Sequence, residues 1–71
     1  MTLRDAVCGK EYTVKKIETD DSELNSFLFS LGCYSGEAVS VVRHLRGSSI
    51  VAIKNGRYSI DKRLAEAITV I

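Results

Sequence analysis

The sequence predicts a mainly β fold: five short strands bent into a small β-barrel, with one helix inserted between the first strand and the second. Three observations carry this. Apolar and polar residues alternate in several segments too short to be helices. Asn55-Gly56 lies between two β-rich runs, the strongest local signal for a tight hairpin. One stretch, from Asp20 to Leu31, has helical rather than alternating spacing. Short strands joined by hairpins leave edges and one apolar face to cover, and strong bending into a barrel covers them.

In chain order, Thr2 caps a helical turn over Leu3–Val7, and Gly9 stops it. Strand one is expected over Glu11–Ile17. Tyr12, Val14 and Ile17 are its apolar positions, with an irregularity near Lys15 and Lys16. The helix follows, with Asp20 and Glu23 in capping-box spacing. Leu24, Phe27, Leu28 and Leu31 form its apolar stripe, and Gly32 is its stop. Phe29 falls off that stripe among Asn25, Ser26 and Ser30. It is either covered by the amino-terminal turn or left as an exposed aromatic anchor.

After the turn signal Tyr34-Ser35-Gly36, strand two is expected over Glu37–His44, with Val39 and Val41 on one face. Arg46–Ser49 reads as a loop and Ile50–Lys54 as strand three. Asn55-Gly56 is the turn, and Arg57–Ile60 forms strand four, with Tyr58 and Ile60 on one face. A helical turn over Lys62–Ala67 leads to strand five, Ile68–Ile71.

With 71 residues and no linker-like stretch, residues 1–71 are expected to form one domain. A composition that is 45% apolar and 27% charged is that of a globular chain rather than a disordered one. A net charge of +1 removes any whole-molecule attraction to nucleic acid or membrane. The charges are nevertheless segregated. Glu18, Asp20, Asp21, Glu23 and Glu37 are all acidic, whereas Arg43, Arg46, Lys54, Arg57, Lys62 and Arg63 face only Asp61. Such runs form solvated faces, or surfaces for partners of opposite sign. Cys8 and Cys33 are not a CxxC pair, and neither a secretory signal nor a membrane span is expected. Reduced, buried thiols in a cytoplasmic chain are therefore expected.

No phosphate-binding loop exists, since Gly47-Ser48-Ser49 lacks both a lysine and a following helix. Cys8, Cys33 and His44 are the only soft or imidazole ligands. They are widely separated singletons, whereas structural zinc takes four ligands in close pairs, so no metal or cofactor is expected. His44 reads as a solvated strand-end residue, and no nucleophile or acid–base pair stands out, so the chain is not expected to be an enzyme. Arg43, Arg46, Lys54, Arg57 and Tyr58 would suit a single-stranded nucleic acid, but one aromatic residue makes no stacking platform. Binding to another protein through the outer surface is the expectation that remains.

The run Leu28-Phe29-Ser30-Leu31-Gly32-Cys33-Tyr34-Ser35-Gly36-Glu37-Ala38-Val39-Ser40-Val41 resembles the Leu-x-x-Leu-Gly-apolar-x-Pro-Gly-x-x-Val-x-Val signature of the ferrous iron transport protein A family. Thr2-Leu3-Arg4-Asp5 with Gly9 is similar to the family's opening, and Ala65-x-x-Ile68-x-Val70 to its closing strand. Ser35 stands where proline is usual, Phe27 where arginine is frequent, and Cys33 where an aliphatic residue is common. The resemblance implies an SH3-like barrel, similar also to the carboxy-terminal domain of iron-dependent repressors. It implies a cytoplasmic accessory of bacterial ferrous iron uptake that binds the GTPase-bearing part of the membrane iron transporter. Such a chain would reach the inner membrane face only through that partner, without inserting and without nucleic acid. It is expected as a monomer or weak oligomer. No catalytic or metal-binding residues carry over; the alternative roles are a small barrel binding nucleic acid through the basic strands Arg43–Arg57 and a direct transition-metal-binding regulator that would take ferrous iron. Phe29, Leu31, Gly32, Cys33, Tyr34, Ser35 and Gly36 are the expected partner-binding residues.

Overall fold

Strand β1 (Glu11–Ile17) places core side chains at Tyr12 and Val14, two apart, and then at Ile17, three further on. A strand of strict period two would turn Ile17 to solvent, so one residue must be absorbed. The computed structural model, which describes residues 1–71, absorbs it as a bulge: the register shifts between Val14 and Lys16. The same point is where β1 changes partners. Glu11–Thr13 pairs antiparallel with the start of β2 (Ala38–His44), and Val14–Ile17 pairs antiparallel with β5 (Ile68–Val70). With β3 (Ser48–Ile53) and β4 (Gly56–Asp61) the strand order is β4-β3-β2-β1-β5.

A second register shift, between Val41 and Arg43, bends β2. The sheet curls round one core to which all five strands contribute, through Val14, Val39, Val41, Val51, Ile53, Ile60, Ile68 and Val70. Leu3, Leu28, Leu64 and Ala65 complete it from the short helices. Each fully buried Val, Leu or Ile contributes roughly 1.5–3 kcal/mol of transfer free energy. Exposed ion pairs such as Arg4–Glu66 contribute far less, so the fold rests on the core.

The structure differs from the sequence reading in several elements; β3 begins at Ser48, so Ser48 and Ser49 pair with β4 instead of lying in the loop expected over Arg46–Ser49. Helix α1 (Ser22–Leu31) is capped by Asp21, not Asp20: Asp21 Oδ1 accepts from Glu23 N at 2.9 Å and Leu24 N at 3.3 Å. Thr19 Oγ1 accepts from Asp21 N, which sets the cap one residue later and removes the capping-box spacing to Glu23. Of the apolar stripe, only Leu28 is buried. Leu31 is half-buried, while Leu24 and Phe27 are exposed, because a ten-residue helix on so small a barrel touches it along a narrow line.

The amino terminus also departs from the expected helical turn. Thr2 makes no side-chain cap; it is extended and bridges Thr69, while the Met1 carbonyl accepts from Val70 N at 2.9 Å. Only Leu3–Asp5 is helical, as a 3₁₀ turn. Backbone pairing on the outer edge of β5 outcompetes a cap here. Finally, the β3–β4 turn centres on Lys54-Asn55 rather than Asn55-Gly56, with Lys54 at φ 54°. Pairing Ile53 with Gly56 keeps Val51, Ile53 and Ile60 inward, and a one-residue slip would turn that strand face outward. A Cβ on Gly56 would meet the Tyr58 hydroxyl, so any larger residue there requires the Tyr58 ring to move.

Helix α2 (Lys62–Ala67) matches its expected span, and its cap Asp61 accepts from Leu64 N at 2.7 Å. Substitution separates the two candidate caps of α1. Asp21→Ala should lower stability by about 1 kcal/mol and Asp20→Ala by less than about 0.5 kcal/mol, read as shifts in the urea unfolding midpoint.

Candidate functional site

The end of α1 and the turn after it form a compact, chemically varied surface. Gly32, at φ 91°, donates to Phe29 O, and Cys33 N donates to Leu28 O at 2.9 Å. This is a Schellman closure, which favours an apolar contact between the residue after the glycine and the residue four before the glycine. Cys33 and Leu28 are those residues, and both are buried. Burial pushes the Cys33 thiol up from 9.0 to about 11, so it acts as a small apolar side chain. The chain then clasps the β1 bulge. Gly36 N donates to Val14 O at 2.8 Å, Val14 N to Glu37 O at 2.9 Å, and Ser35 Oγ to Lys15 O at 2.9 Å. Ser35 thus makes through its hydroxyl a bond that a proline at this position could not make.

On the outer side of this clasp Phe29 stacks on Tyr34, with ring centroids 4.9 Å apart and planes tilted by 31°. Lys54 reaches over from the β3–β4 turn. Its ammonium lies 5.4 Å from the Tyr34 ring centroid, donates to Tyr34 Oη at 3.3 Å, and stands 3.6 Å from Glu37 Oε2. The hydrogen bond to Tyr34, and then the Glu37 carboxylate, hold the Lys54 ammonium above its ordinary range. The Lys54 stem covers Gly32, where a Cβ would come within 2.8 Å of Lys54 Cε. Ile17, Asn25, Ser26, Phe29, Cys33 and Tyr34 line a shallow groove of about 370 Å³ beside the stack. At the other end of α1, Glu18, Asp21, Leu24, Asp61, Arg63 and Leu64 border a second cleft of about 420 Å³. There Lys16, by hydrogen bond and by charge, holds the Glu18 carboxyl below its ordinary value.

The seven residues singled out from the sequence are therefore brought together, in two layers. Phe29, 66% exposed, with half-buried Tyr34 and exposed Ser35 and Gly36, faces outward. Leu31 is half-buried, and Gly32 and Cys33 are buried, so these shape the turn from beneath. Leu24 and Phe27, at 36% and 47% exposed, share the face of Leu28 and Leu31 by spacing and add to the apolar surface.

Cys8, Cys33 and His44 do not meet, and no group of three or more His, Cys, Asp or Glu side chains gathers to hold a metal ion. Cys8 is exposed, contrary to the expectation of two buried thiols, because Gly9, at φ 85°, turns the chain outward before β1. His44 is not a solvated strand end. Its Nε2 donates to Ala6 O at 2.7 Å, which leaves Nδ1 to accept from Lys62 Nζ at 3.1 Å, with Ser49 Oγ 2.9 Å away. This network ties β2, α2 and the amino-terminal segment together around buried Ser49. Tyr58, the one aromatic among the basic strands, packs against the core, while Arg43, Arg46 and Arg57 are exposed.

The model of the FeoA domain family matches residues 1–71. The chain belongs to the FeoA domain family, which is associated with ferrous iron transport. Among solved structures, iron(II) transport protein A from Clostridium thermocellum is 28% identical with a TM-score of 0.89, over 99% of this chain and 44% of that one. FeoA from Stenotrophomonas maltophilia, solved in complex with zinc and described as a procaryotic SH3 domain protein, is 20% identical with a TM-score of 0.87, over 100% and 89%. A manganese-dependent transcriptional repressor is 25% identical with a TM-score of 0.86, over 100% of this chain and 40% of that one. No curated protein matches the chain. The fold is the expected five-stranded SH3-like barrel, and no helix is long and apolar enough to cross a membrane.

The two thiols should differ sharply in reactivity. A disulfide reagent at pH 8 is expected to modify Cys8 in the native chain and to reach Cys33 only after unfolding. Because the folded pKa of Cys33 lies above its ordinary value of 9.0, the unfolded chain loses that proton first. Stability should fall as pH rises from about 9 to about 11, and the fall should be shallower in Cys33→Ala.

Proposed function

We propose that this chain supports ferrous iron uptake as a cytoplasmic accessory that docks on the GTPase-bearing part of the membrane iron transporter, using α1 and the turn after it. The observation that carries this reading is the exposure of Phe29, stacked on Tyr34 beside an apolar-floored groove. Rigid aromatic side chains bordering a groove are the residue type that concentrates binding energy. Lys54 fixes the Tyr34 ring before any partner arrives, which lowers the ordering cost of binding. Leu24 and Phe27 extend the apolar surface along the helix. Asp20, Asp21 and Glu23 lie at its start, so the matching surface on the partner carries basic residues at that end. Family membership supports the iron-uptake setting.

Titration of the full chain into the purified GTPase-bearing part of the transporter tests the reading. Saturable binding is expected, with Phe29→Ala raising Kd tenfold or more, on the order of 1.4 kcal/mol, while the circular dichroism spectrum stays native. Absence of binding by the unmodified chain, across nucleotide states, overturns it.

A further inference from the structure

Strands β4 and β5 are the two edges of the sheet. The β5 edge is covered by the chain's own start, through the Thr2–Thr69 bridge and the bond from Val70 N to Met1 O. The β4 edge is different. Ile53 and Gly56 flank a two-residue turn and form a bonded pair, so the antiparallel alternation also bonds Val51 to Tyr58 and Ser49 to Ile60. The N–H and C=O groups of Arg57 and Ser59 then point away from β3. Both residues are exposed, and no loop, turn or terminus bonds to their backbone. Whereas β1 and β2 are bulged, β4 pairs through six consecutive positions without a register shift. It contains neither proline nor lysine to blunt the edge.

We infer that β4 pairs antiparallel with β4 of a second copy of this chain, about a two-fold axis at Ser59. In that register Ser59 faces Ser59, and the two exchange N–H···O bonds. Arg57 of each copy faces Asp61 of the other, on the solvent side of the sheet. All three residues are exposed and alternate with inward-facing Tyr58 and Ile60. The segment Arg57-Tyr58-Ser59-Ile60-Asp61 is thus self-complementary in charge when reversed, which is what a two-fold interface demands. Asp61 uses Oδ1 to cap α2 at Leu64 N, and its other carboxylate oxygen is left for the facing Arg57. The next register, with Tyr58 on the axis, sets Arg57 against Ser59 and leaves the charges unmatched. The pairing closes on itself, so assembly stops at two copies. It uses a strand edge rather than α1 and does not depend on the docking reading.

Sedimentation velocity of the full chain over a concentration series tests this. A reversible dimer, weakened by salt, is expected. Ser59→Pro removes an N–H that β3 does not use, and so should keep the native circular dichroism spectrum while abolishing the dimer. Arg57→Glu sets two like-charge pairs across the axis and should raise the dimer Kd by about tenfold or more, deciding the matter should Ser59→Pro unfold. A chain that stays monomeric at every concentration overturns the inference. So does a dimer that survives both substitutions, or one lost only on Phe29→Ala.

Discussion

One extra residue in β1 governs this molecule. Because the bulge between Val14 and Lys16 bends the strand, its two halves can lie against different neighbours, β2 on one side and β5 on the other. Without that bend the five strands would form a flat ribbon with two bare faces; with it they enclose one core. The bulge is not left to local preference. Gly36, Glu37 and Ser35 hold Val14 and Lys15 by three hydrogen bonds, so the segment following α1 locks the curvature that the barrel needs. The inserted helix and the barrel are mechanically one unit for this reason, although few side chains of the helix enter the core.

The same economy of space explains what is left outside. The interior is filled by the strand side chains together with Leu3, Leu64 and Ala65. Only Leu28 of the helix finds room to be buried, and Leu24, Phe27 and Phe29 remain at the surface. Around them the polar contacts are organised. Lys54 adopts a left-handed backbone at the β3–β4 turn, spreads its stem over Gly32 and ends on Tyr34 and Glu37. A hairpin turn on one strand pair and a helix stop on another segment are thereby fitted to each other.

Much of the fold was legible because strand periodicity reports directly on which side a residue faces. The spacing Tyr12, Val14, Ile17 already encodes a bulge, since no unbroken strand puts those three on one face. The helix was equally plain in its existence but not in its burial. The stripe Leu24–Phe27–Leu28–Leu31 states which residues share a face and is silent on how wide the opposing surface is. The choice of Asp21 over Asp20 as cap, and of Lys54-Asn55 over Asn55-Gly56 as turn, depended on contacts from Thr19 and from the register of β3 against β4. Neither appears in local propensity. His44 was missed for the same reason: its partners Ala6, Ser49 and Lys62 come from three separate segments.

The marginal anchoring of α1 bears on how the surface would work. An isolated helix of ten residues is unstable in water, because nucleation is costly and few bonds follow. Here the Asp21 cap, the Schellman closure at Gly32 and the burial of Leu28 supply what holds it. Its apolar flanks contribute little while they face water. A partner that covered Phe27 and Phe29 would therefore add to the stability of the helix itself, since any ligand that binds only the ordered form stabilises that form by mass action. Docking of such a partner and helix order would then be one equilibrium, set at one end by the partner and at the other by the β1 bulge to which the helix is tied.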